Sequence, residues 1–156
     1  MSTTNGKLLE FFVRIPKLET DGSNWVIFKD RFVFAAATAD LEKHIDGTGT
    51  APIPLAFTPG GPTPLTADQM AEIKLYEENQ LKWMMNEAVI KQAIATTIPD
   101  SLFIEVRKEV TACLMWEAVW LKREKKSHMV TVDLCRKLQA EKCPEHGDMR
   151  AHLNKL

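Results

Sequence analysis

Long apolar runs, an excess of one charge, paired cysteines and catalytic signatures are all missing from this 156-residue sequence. No apolar stretch approaches the roughly 20 residues that a membrane-spanning helix needs. The polar start Met1–Lys7 has no charged-then-apolar leader, so the expected compartment is cytoplasmic, with no membrane partner. Lys+Arg 20 against Asp+Glu 21 gives a formal charge of -1, which offers nucleic acid no overall electrostatic footprint. The cysteines Cys113, Cys135 and Cys143 are odd in number and lack Cys-x-x-Cys spacing, so they read as free thiols. There is no phosphate-cradling Gly loop, Gly-x-Ser-x-Gly elbow or His-Glu-x-x-His helix. Cys143, His146 and His152 come close together but lack a fourth ligand. No catalytic, cofactor-binding or metal-binding residue is assigned, and no small-molecule substrate is expected.

An apolar content of 45% is enough to build a hydrophobic core in one domain. The chain is organised around the stretch from Asp68 to Trp120. Between Gln80 and Ile98 the residues Leu81, Trp83, Met84, Met85, Ala88, Val89, Ile90, Ala93, Ile94, Ala95 and Ile98 leave only a narrow polar strip, Asn79, Lys82 and Asn86. A surface helix hides one stripe, so a helix this widely apolar needs cover on several sides. Thr66 or Asp68 is its expected cap, Glu78–Lys82 and Glu87–Lys91 are its expected surface pairs, and Pro99 ends it.

Upstream, the apolar Leu8–Leu18 has a periodicity that does not decide between a short helix and an extended arm, and we read it as an extended N-terminal arm laid on the core after an untethered polar start. Asp21-Gly22 signals a turn, with Ser23 or Asn24 capping a helix from Trp25 to about His44. Trp25, Phe28, Phe32, Ala35 and Ala39 share its apolar face. Gly47–Thr66 (47-66) holds Pro52, Pro54, Pro59, Pro62 and Pro64 and is a long Pro/Gly-rich loop.

Downstream, a short helix is expected over Leu102–Glu109, and Thr111 caps another in which Ala112, Trp116, Val119 and Trp120 share a face. The basic patch Lys122, Arg123, Lys125 and Lys126 fits the end of that helix, where positive charge complements the dipole. Ser127 would then cap a further helix carrying Val130, Leu134 and Leu138. The histidines His44, His128, His146 and His152 read as helix-end residues, and Glu105, Glu109, Glu117 and Glu124 as a wet face. Core packing is preferred over a ligand cage for Trp25, Trp83, Trp116 and Trp120. The fold class expected is all-α, a compact bundle of about five to six helices. Residues 1-142 form one helical domain, and 143-156 read as the start of a truncated following one.

Three short blocks, in order, resemble one family. Leu18 followed by Gly22, Asn24, Trp25 and Phe28 is similar to the start of the Gag polyprotein of copia-type LTR retrotransposons. Ala88, Ile90 and Ile94, with Trp83 just upstream, lie in a block that resembles the family's Ala/Ile helix. Ala112, Trp116 and Val119 resemble its Thr-Ala and Trp motif. The resemblance implies a structural capsid protein and no enzyme, self-assembling through helix faces into a shell around element RNA. RNA would be met only indirectly or through downstream regions. The alternatives are a domesticated Gag-derived adaptor that binds proteins, or a small helical enzyme or ligand-binding bundle.

Overall fold

A computed structural model describes residues 2–56 and 64–140, without the side chains of residues 2–5 and 127. It is all-α among the described residues: α1 Ser2–Val13, α2 Trp25–Thr38, a single 3-10 turn Glu42–His44, α3 Ala67–Thr97, α4 Asp100–Val106 and α5 Ala112–Ala140. The expected tail from Cys143 to Leu156, the 142/143 boundary and the centre of the Pro/Gly loop lie outside the described residues. The described flanks of that loop, 47–56 and 64–66, contain no helix or strand.

Phe12, Trp25, Phe28, Phe32 and Trp116 interlock at the centre. Phe32 stacks on Trp116 at 4.4 Å and 15°, Phe12 meets Phe32 at 5.1 Å, and Trp25 meets Trp116 at 6.1 Å. These rings come from α1, α2 and α5, and offset or tilted aromatic contacts of this kind add to their burial. Ile90, Ile94, Val106 and Val119 complete the core with no exposed surface.

Several expectations are corrected. The arm is not extended from Leu8: the first part of Leu8–Leu18 is helical, as the end of α1, because Phe12 gains a place against Phe32 on that helix. Only the run after Val13 is irregular. Helix α2 stops at Thr38, not near His44, because Asp40 takes a positive φ of 56° that no right-handed helix continues through. Its buried stripe is Trp25, Phe28, Phe32 and Ala36, with Ala35 only half-buried. Helix α5 runs unbroken through the basic patch and Ser127 to Ala140. Lys, Arg and Glu favour helix, and Ala112–Ala140 contains no Pro or Gly to stop it.

Other local signals worked as expected. Thr66 caps α3 in a reciprocal capping box with Gln69, Pro99 follows its last turn, and the Thr111 hydroxyl accepts from the Leu114 N–H at 3.2 Å.

The two long helices run parallel in the body, joined by α4. The first amide of α5, at Ala112, donates to the Glu87 carboxylate at 2.8 Å. One end of the body further on, Leu18 N–H donates to the Thr97 carbonyl at the end of α3, and Arg123 of α5 donates to the nearby Thr20 carbonyl. Residues 87–97 of α3 therefore lie alongside 112–123 of α5. The rest of each helix leaves the body in opposite directions: α3 before Trp83 at one end and α5 after Arg123 at the other. No residue of 67–86 is buried, and none of 124–140 whose side chain is described is buried.

Candidate functional site

The first motif residues meet in a clasp over the middle of α5, at Arg123 and Glu124. Leu18 is buried with its N–H on Thr97. The Asn24 side chain accepts from the Glu19 N–H at 2.9 Å and donates to the Lys17 carbonyl at 2.9 Å, so it ties the loop and makes no cap bond to α2. Gly22 sits at φ +78°, and a Cβ there would lie 3.4 Å from an Arg123 guanidinium nitrogen. That left-handed conformation suits glycine. Trp25 donates its indole N–H to Glu124 at 2.7 Å, and Glu124 stays exposed on the expected wet face. Arg123 is buried at 8% exposure, and its Nε has no hydrogen-bond partner.

The basic patch is thus split by function. Arg123 holds the clasp, Lys122 pairs with Glu105 on the surface, and Lys125 and Lys126 are exposed. It does not neutralise a helix end, since α5 does not end there. The hydrogen bond from Lys122 holds the Glu105 carboxyl below its usual range.

A buried polar node lies at the opposite end of the body. His44 and Glu87, 7% and 8% exposed, meet at 2.9 Å between Nδ1 and Oε1. The second Glu87 oxygen receives the Ala112 amide, placing a carboxylate at the positive end of α5. Glu87 is not a surface partner of Lys91, which reaches the Val110 carbonyl instead. His44 is a core residue and not a solvated helix end. Trp83 packs 6.0 Å from His44, half-buried, and its indole N–H has no partner. Neither residue was legible in advance, because the Glu87–Lys91 spacing mimics a surface pair and His44 follows an apparent helix.

Of the remaining motif positions, Ile90, Ile94, Ala112, Trp116, Val119 and Phe28 are buried. Ala88 is exposed, as is Trp120 at 42%, contrary to a shared core face. Met70, Leu81 and Met84, at 55%, 49% and 56% exposure, lie with Ala88 on one stripe of α3 that the body leaves uncovered.

A groove of about 490 Å³ is lined by Lys29, Asp46, Cys113, Trp116, Glu117 and Trp120. Trp116 contributes only an edge to it, being 8% exposed. Burial, and then the carboxylates of Glu117, Asp46 and Glu87, push the Cys113 thiol up, the wrong direction for a nucleophile. No group of three or more His, Cys, Asp or Glu able to hold a metal occurs among the described residues. No described helix is long and apolar enough to cross a membrane.

Comparison with known proteins yields one match. No curated protein and no solved structure matches the chain. The family model for the gag-polypeptide of LTR copia-type matches residues 32–156. That span contains α3, α4, α5 and the His44–Glu87 node, while the Leu18–Phe28 clasp lies upstream of it. The chain belongs to the gag-polypeptide family of LTR copia-type.

Proposed function

We propose that this Gag-like domain is a capsid subunit that self-associates in the cytoplasm into a shell around element RNA. The observation that carries the reading is the apolar circumference of α3. Its Val89, Ile90, Ala93 and Ile94 side is covered by the body, whereas Met70, Leu81, Met84 and Ala88 face outwards. A helix apolar on more than one side needs a second neighbour, and a further copy of the chain supplies one. With a net charge of -1, the domain is suited to packing against its own kind, and RNA would be held chiefly by other parts of the polyprotein.

The test is electron microscopy and light scattering of the polyprotein across protein and salt concentration. Particles, sheets or concentration-dependent oligomers are expected. A strictly monomeric species that binds a defined peptide would replace this reading with that of a protein-interaction adaptor.

A further inference from the structure

Resting on that reading, we propose that copies of this chain join head to tail, the free half of α5 from one copy packing along the free half of α3 in the next.

Three observations converge on this pairing. The first is placement. Both helices are about 45 Å long at 1.5 Å per residue. They overlap only where 87–97 lies beside 112–123, so the free arms are about 30 Å for α3 and about 25 Å for α5, and the two arms point to opposite ends of the body. Helix α5 begins beside Glu87, and the part of α3 upstream of Glu87 therefore lacks the neighbour that α5 provides downstream. The α5 arm of another copy, running in the same direction, would extend the same parallel α3–α5 packing.

The second is apolar surface on both arms. Leu81 and Met84 are 49% and 56% exposed on α3, and Leu134 and Leu138 are each 54% exposed on α5. The Asp21–Ser23 turn reaches α5 only as far as Val130 and Thr131. Val130, Leu134 and Leu138 continue at i+4 the side that buries Arg123 in the body.

The third is charge. Residues 67–83 of α3 carry Asp68, Glu72, Glu77 and Glu78 against Lys74 and Lys82. Residues 124–140 of α5 carry Lys125, Lys126, Arg136 and Lys137 against Glu124 and Asp133. One arm is acidic and the other basic within a molecule that is nearly neutral. Two α5 arms or two α3 arms would repel, while an unlike pair attracts. Such a contact uses different patches on the two copies, so it propagates into a ring or an open filament and does not stop at a dimer.

Charge reversal tests it on the full chain. One variant carries E72K, E77K and E78K, a second carries K125E, R136E and K137E, and a control carries E10K, D30K and E42K on the body. Association is followed by light scattering with circular dichroism as the check on folding. Wild type should associate, more weakly as salt rises. Each arm variant alone should weaken association by about tenfold or more, because it has two arms of like charge. An equimolar mixture of the two arm variants should associate nearly as wild type, and the control variant should behave as wild type. If wild type associates but the arm variants do so equally well, or if their folded mixture stays apart, the head-to-tail pairing is wrong and self-association stands. If wild type stays monomeric throughout, the capsid reading falls and the pairing falls with it.

Discussion

In its last third, α3 buries Val89, Ile90, Ala93, Ile94 and Thr97, whereas over 67–86 the same helix buries nothing. Helix α5 shows the reverse order: Ala112, Met115, Trp116, Val119 and Arg123 are buried, and the described side chains from 124 onward are not. Both halves of each helix carry Leu, Met, Val or Ile. Whether an apolar residue becomes core depends on whether α1, α2 or α4 lies beside it. The contrast teaches that the same residue types are core where α3 and α5 overlap and exposed surface along the arms beyond that overlap.

Stability should separate body from arms most sharply. Phe32 is fully buried between Trp116 and Phe12, and Phe32→Ala should cost about 3–5 kcal/mol in urea unfolding. The matching arm substitution, Leu134→Ala, should change monomer stability by no more than about 0.5 kcal/mol. A large loss from Leu134→Ala in dilute monomer would show that the arm packs within its own chain.

The buried node comes next. Glu87→Ala removes one partner from His44 and another from the Ala112 amide, both in the core, and should cost about 3 kcal/mol. An unchanged melting temperature would mean that water replaces the carboxylate there. The clasp should be less sensitive. Asn24→Ala loses two hydrogen bonds at the surface and should cost about 1–2 kcal/mol, and Gly22→Ala about 1 kcal/mol for its left-handed backbone.

The smallest effect concerns thiol chemistry and not stability. In single-cysteine variants, Cys135 on the arm should alkylate faster than half-buried Cys113 at neutral pH. Burial raises the Cys113 pKa, so its thiolate fraction is depressed, and its rate should go on climbing at pH values above the ordinary thiol range of about 8.5. Equal rates for the two would remove the distinction between body and arm at these positions.

How far the sequence could be read followed the range of the forces involved. Thr66, Pro99 and Thr111 act within one turn of helix, and their roles were legible directly. The aromatic stripe from Trp25 to Phe32 was legible because helical periodicity alone puts those rings on one face. The N-terminal helix was missed because its apolar residues show no clean period, and its reason for being helical is Phe32 on another element. The continuity of α5 is not legible locally, because a run of charge resembles a helix end although Pro, Gly or a left-handed residue is what breaks a helix, and 112–140 contains no Pro or Gly.

The candidate surface divides along the same line. Composition and periodicity were sufficient for an all-α domain, since those depend on neighbours one to seven positions apart, and the resemblance to copia-type Gag rested separately on the order of three short motif blocks. Which side of α3 stays bare, why Glu87 turns inward and why Arg123 ties a clasp and does not sit at a helix end are matters of packing among residues tens of positions apart. Glu87 meets His44 and Ala112, 43 and 25 residues away in sequence, and Arg123 meets Thr20 across 103. Only the folded arrangement brings such groups within hydrogen-bonding reach, and only there does a charged side chain become either a tie or a free surface.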